Sequence, residues 1–372
     1  MTLGKVIDEH RLVVCVGTGG VGKTTIAAAI AVGAALRGRH AMVLTIDPAR
    51  QLARALGLAA FTGSGEQVAV EVWQDAHLNP TGSLAAAMLD QKGAWDAFIR
   101  RHAPSDSVRD AILGNPFYRE MSTSFAGSTE YVAIEELCRL DESGQYDLIV
   151  LDTPPAGNAI DFLRAPARID RLLDPEVANW LTSPYATIGR KAWRAATGGV
   201  RFVLRRLERA TSAQTLREMS EFFRAFEGLF DDIARRSKRA RALLGSSSTA
   251  FALITGPRED TRAETEALVR GMQDHGVQLG AIVVNRVHPF PGGHDLINAP
   301  LDEVLAEIPD RDVAGWLQRT YALACSISRA ERKRLDTMQS KLRPGIGHAE
   351  IPELPHDTHS LNDLVVIADS LW

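Results

Sequence analysis

Cysteine is scarce in this chain of 372 residues, and the three present, Cys15, Cys138 and Cys325, lie far apart without a CxxC pair. That argues against a disulfide framework and against a zinc signature. No run of about 18 uncharged apolar residues occurs, so no membrane-spanning helix is expected. The opening MTLGKVIDEHRLVVCVG lacks the basic, apolar and small-residue order of a signal peptide, and a cytoplasmic chain is the expectation. Internal repeats and low-complexity tracts are missing too, which argues against a solenoid. Neither sign of charge dominates: 42 Lys and Arg stand against 46 Asp and Glu, a net of -4, and no nucleic-acid partner is expected. One local exception is the segment holding Arg190, Lys191, Arg194, Arg201, Arg205, Arg206 and Arg209 against the single acid Glu208. It reads as a solvated basic helix face, or as a surface for an acidic protein or a lipid headgroup.

What is present is an alternation of short β-branched runs with helical patterns. The runs are RLVVCVG, HAMVLTID, VAVEVW, YDLIVLDT, TAFALIT and LGAIVVN. Each is nearly all apolar, as strands covered on both faces are, so the expectation is an α/β fold with a doubly wound, mostly parallel sheet. Two segments interrupt the alternation, about 81–142, with breaks at Pro104 and Pro116, and about 159–245. Within the second, Leu216, Met219, Phe222, Phe223, Phe226, Leu229, Phe230 and Ile233 follow the spacing of one helix face. The two segments read as helical insertions that together form a helical subdomain on the sheet. The stripe reads as its core, or as an apolar groove for an amphipathic helix.

The stretch Gly17-Thr18-Gly19-Gly20-Val21-Gly22-Lys23-Thr24 satisfies GxxxxGK[ST] between a strand and a helix. Backbone N–H groups and the dipole at a helix N-terminus favour anionic oxygens, so the pattern predicts a phosphate cradle. Lys23 is expected on the β- and γ-phosphates, with the Thr24 hydroxyl on Mg²⁺. Asp152 follows the apolar run of YDLIVLDT, where a carboxylate orients Mg²⁺ through water. Asp47 ends the HAMVLTID run, where a carboxylate positions the attacking water of a hydrolysis.

GTGGVGKTT, TIDPARQLARAL, SFAGSTEYVAIEEL, YDLIVLDTPPAGNAIDFLRAP, AIVVNRV and IPELPHDTHSLNDL stand in the order and approximate spacing of the ArsA-type ATPases. The chain resembles that family along nearly its whole length. The family includes the arsenite-pump ATPase and the soluble ATPase that targets tail-anchored membrane proteins. The resemblance implies a P-loop NTPase fold of the SIMIBI group: one ATPase domain over residues 1–372, its helical subdomain carrying a protein or membrane client. It implies ATP/ADP and Mg²⁺ as ligands, and a homodimer or a heterodimer with a paralogue. Carried over by residue, Gly19, Gly20, Val21, Gly22, Lys23, Thr24 and Thr25 form the phosphate loop. Asp47 becomes the first switch and Asp152 the second. Asn285 resembles the residue that reads adenine, and Pro352 the proline packed on the base. Glu130 ends a stretch similar to the family's PG..E element but without its proline, and takes no role.

The departures bear on activity. The family's typical loop places a lysine where Thr18 stands, and that lysine reaches a partner's phosphates. A short uncharged side chain supplies no such stabilisation, so hydrolysis is expected to be slow or dimer-dependent, or to draw a cation from Arg50 or from a partner subunit. The alternative is an ATP-stabilised scaffold or chaperone that hydrolyses little. Three dispersed cysteines do not suit a three-thiolate metalloid site, so arsenite sensing is not expected.

Overall fold

A computed structural model describes residues 2–46, 50–58, 65–124, 128–154, 162–165, 213–277, 279–291, 305, 307–340, 342, 344–358 and 360–372. The basic segment 190–209 and Asp47 lie outside the described residues. Among the described residues eight strands form one sheet: β1 Leu12–Gly17, β2 His40–Thr45, β3 Glu66–Gln67, β4 Ser83–Met88, β5 Leu148–Asp152, β6 Thr249–Thr255, β7 Leu279–Val287 and β8 Gly347–Pro352. Their spatial order is β3-β4-β2-β5-β1-β6-β7-β8. The pairings are parallel except β3 with β4.

Five of the six apolar runs form strands as expected, β1, β2, β5, β6 and β7. VAVEVW does not. The Val68 N–H still bonds the Leu84 carbonyl of β4, but Val70–Asp75 turns into a helix. That helix buries Trp73 against the sheet and leaves Val70 65% exposed. Burial of one large indole outweighs the strand preference of three valines, because strand propensity is largely a packing preference. A second correction concerns the first insertion. Residues 83–88, SLAAAM, lie inside the segment expected to be helical from about 81, yet they form β4 beside β2. Alanine is a strong helix former, but a run of small side chains fits a strand covered on both faces. The helices of that insertion start at Gln91 instead. Pro104 and Pro116 act as read: one helix ends at His102, and Pro116 opens another.

The helix after the loop, Lys23–Leu36, is buried along nearly its whole length on one face of the sheet, beneath Leu3–Glu9 and the C-terminal helix Leu361–Asp369. The other face is covered by Ser128–Ser143, Phe230–Leu244 and the end of the long helix Arg311–Gln339. No helix among the described residues is long and apolar enough to cross a membrane.

A third, separate core lies among the helices alone. Trp95, Phe98, Tyr118, Tyr131, Phe222 and Phe226 pack ring against ring, with Leu229 and Ile233 beneath them. The stripe is therefore packed core and not an open groove: Met219, Phe222, Phe226, Leu229 and Ile233 are all buried. The side chain of Leu216 lies outside the described residues. Beside this core Glu135 is buried and takes Arg236 at 2.7 Å. Burial raises the Glu135 carboxyl above its ordinary value even so.

Candidate functional site

Strand β1 ends at Gly17 and the chain turns through residues 18–22 into the helix beginning at Lys23. Gly20 and Gly22 take φ of 74° and 89°, a region that side chains with a Cβ rarely adopt. A Cβ on Gly22 would also lie 2.4 Å from the Asn285 amide nitrogen. The loop is thus built for close backbone approach at a helix N-terminus, the geometry of an anion cradle. Gly19 and Gly20 are exposed at its tip, Val21 is buried, and Thr25 is half-buried one residue after Thr24.

Lys23 is 8% exposed, and its ammonium donates to the Thr18 carbonyl oxygen at 2.9 Å. The Thr24 hydroxyl donates to Asp152 Oδ2 at 2.6 Å, and the Thr45 hydroxyl donates to the same oxygen at 3.0 Å. Strand register makes this possible. Asp152 stands beside Cys15 of β1 on one side and Thr45 of β2 on the other. Thr45 is a candidate site residue the sequence reading missed; its signal was a hydroxyl two residues before Asp47 in the HAMVLTID run. Burial and the neighbouring Asp152 charge both raise the Cys15 thiol, so it stays protonated and is not a thiolate ligand.

Thr18 is only 1% exposed, and its hydroxyl finds no hydrogen-bond partner among the described residues. Its side chain therefore points into the protein. Arg50 opens the helix Arg50–Ala55, and its side chain lies outside the described residues. Glu130 stands in the first turn of Ser128–Ser143 with one carboxylate oxygen buried and without a hydrogen bond among the described residues.

Asn285 is brought to the loop: its amide donates to the Val21 carbonyl at 2.8 Å. Pro352 is the last residue of β8, paired with Val287 of β7, and it is exposed. With His288, Phe290, Arg329 and Lys333 it lines a cleft of about 880 Å³ against the long helix. Arg286 was not foreseen, since a lone arginine at a strand end carries no pattern. It takes φ of 61° and donates from Nη1 to the Gly20 carbonyl at 3.3 Å.

The arrangement supplies a buried cation, a helix N-terminus and, at its base, a hydroxyl and a carboxylate suited to a hard divalent ion. The residues fit a nucleotide phosphate chain with Mg²⁺. The sequence profile of the family described as Anion-transporting ATPase matches residues 10–295. The chain is also similar to the ATPase GET3 of Malassezia globosa, 24% identical over 300 residues covering 78% of each chain. The ATPase get3 of Neurospora crassa is 22% identical over 295 residues, again 78% of each chain. The ATPase GET3 of Podospora anserina is 24% identical over 294 residues with the same coverage. The profile match takes in β1 to β7 with the loop, Asp152 and Asn285, and ends before the long helix, β8 and Pro352.

Proposed function

The chain belongs to the anion-transporting ATPase (ArsA) family, whose chemistry is ATP binding and hydrolysis, and from that premise we propose a Mg²⁺-dependent ATPase that couples nucleotide state to its helical layer. The observation that carries the metal-dependent part is the 2.6 Å contact of Thr24 with Asp152 at the base of the loop. Because the Thr24 proton is directed at Asp152, the hydroxyl lone pairs remain for a cation. Asp152, held by Thr45 as well, keeps its carboxylate fixed beside that position.

Bound Mg·ATP supplies the phosphoanhydride to be broken and a divalent charge that offsets negative charge developing on the leaving phosphate. Lys23 exchanges the Thr18 carbonyl for phosphate oxygens and holds the chain in place. Asp47 accepts or orients the attacking water, and Asn285 and Pro352 bind the base. Catalysis belongs to a dimer, of identical chains or with a paralogue, and the client, a protein or a membrane, meets the helical layer. The aromatic stripe is buried, so client binding uses another surface of that layer or follows a rearrangement of its helices.

A second reading has its own support. The buried, uncharged Thr18 favours ATP as a structural ligand of a scaffold or chaperone, with little turnover. Two measurements on the purified chain separate the readings: ATP affinity with Mg²⁺, and specific turnover against protein concentration. Turnover per chain that rises with concentration supports the dimeric ATPase. Binding without turnover at any concentration supports the scaffold. Lys23→Ala is expected to lower ATP affinity at least about 100-fold without moving the melting temperature, and unchanged affinity would sink both.

A further inference from the structure

We propose that Arg286 is a second phosphate-facing cation of this site, engaging the terminal phosphates of bound nucleotide and supplying positive charge that Thr18 does not. The inference rests on the nucleotide reading above. It begins with an irregularity in the sheet. The pairing of β7 with β8 is regular up to Val284 and resumes, shifted, at Val287. Asn285 and Arg286 occupy the irregular stretch, with Arg286 in the left-handed region at φ 61°. Bulges of this kind re-aim side chains and occur beside active sites, and a non-glycine residue stays in that region only where its surroundings hold it there.

The surroundings do hold it. Before Arg286, the Asn285 amide is bonded to the Val21 carbonyl. After it, the His288 N–H donates to Glu331 at 2.9 Å, and the His288 ring lies between Glu331 at 2.9 Å and Glu353 at 3.1 Å. The Glu353 N–H in turn donates to the Val287 carbonyl at 2.9 Å. The bend is therefore fixed on both sides, and it throws the Arg286 side chain over the tip of the phosphate loop.

There the guanidinium makes a long 3.3 Å bond to the Gly20 carbonyl, in an exposed position and with no ion pair among the described residues. A cation resting on a neutral carbonyl at that distance exchanges it readily for an anionic oxygen, to which an arginine bonds more strongly and often through two nitrogens. On the buried side of the loop the Lys23 ammonium also donates to a loop carbonyl, that of Thr18. Lys23 and Arg286 thus bracket the loop from inside and from outside, each on a carbonyl of residue 18 or 20. Thr18, buried and uncharged, does not take part.

The rival explanation is that Arg286 only braces the loop. Arg286→Asn separates the two, because asparagine tolerates the left-handed backbone and removes the charge. ATP and AMP affinities are measured by competition against a fluorescent ATP analogue for the wild type, Arg286→Asn and Arg286→Lys, at low and high salt. The expected result is a loss of about tenfold or more in ATP affinity for Arg286→Asn, with AMP altered less than about twofold. The salt dependence of ATP binding should become shallower, and Arg286→Lys should recover part of the loss. Equal losses for ATP and AMP overturn the proposal in favour of bracing, and an unchanged ATP affinity overturns it outright. A wild-type chain that binds neither nucleotide defeats the nucleotide reading itself, an outcome distinct from these.

Discussion

The loop end of the sheet and the aromatic helical layer are held together by opposite means. At the loop, Thr24 and Thr45 donate to one carboxylate oxygen, and Lys23, Asn285 and Arg286 each donate to a loop carbonyl. In the layer, Trp95, Phe98, Tyr118, Tyr131, Phe222 and Phe226 fill space against one another. A site built from a few directed bonds on a backbone fixed by the sheet can lose a side chain and keep its fold. A layer built from rings cannot, since each ring is both filler and contact. Mutations should therefore separate the two regions: binding and turnover fall at one, stability at the other.

The largest expected effect tests the layer. Phe222→Ala removes a ring that is 1% exposed and stacked on Phe226 with centroids 4.9 Å apart. It should cost about 3–5 kcal/mol in denaturant unfolding, while the folded fraction keeps ATP affinity within about twofold. A matching loss of affinity would show that the two regions are not separable. Next comes Asp47→Asn, which should leave ATP binding intact and reduce turnover at least about 100-fold; equal turnover removes Asp47 from the chemistry. Asp152→Asn should lower ATP affinity by about tenfold in Mg²⁺ and by much less in EDTA, with little change in melting. A loss that is the same with and without the metal would assign Asp152 to packing of the loop instead.

The smallest effect concerns protons. Burial holds the His102 imidazole below its ordinary value of 6.5, despite Asp232 at 3.1 Å and the nearby Glu135. The unfolded chain then takes up a proton near 6.5 that the folded one resists. Stability from this group is complete above 6.5 and declines as the pH falls from 6.5 toward the lower folded value. Glu135, raised by burial, contributes the opposite slope, so the informative quantity is a difference between variants. Unfolding of the wild type and His102→Gln, compared at pH 7.5 and 5.5, should show the variant losing less on acidification. An identical loss would mean that the layer does not sense this histidine.

The same contrast explains what could be read from the residues. The loop and the place of Asp152 at a strand end were legible because a glycine spacing and an apolar run ending in Asp fix backbone geometry directly, whereas Asn285 came only from the family resemblance, through AIVVNRV. Pro104 and Pro116 were legible for a similar reason, since the ring forbids a continued helix. Strand β4 was not, because SLAAAM has helical propensity and becomes a strand only through burial between its neighbours. VAVEVW failed in the other direction, with Trp73 winning over the valines. The buried state of Thr18, the help of Thr45 and the reach of Arg286 depend on register and on a bulge, which no local pattern encodes. Burial of the Phe stripe needed its partners Trp95, Phe98, Tyr118 and Tyr131, which come from helices far away in sequence.

One consequence follows from the three-strand meeting at Asp152. A strand that slips by one residue turns every side chain to the opposite face. A β5 misaligned in that way between β1 and β2 would carry Asp152 away from both threonine hydroxyls at once. If nucleotide binds with Mg²⁺ as proposed, tight binding is then available only to chains whose central strands have seated correctly. The carboxylate works as a gauge of assembly, and ligand added during refolding should selectively trap the correctly threaded molecules.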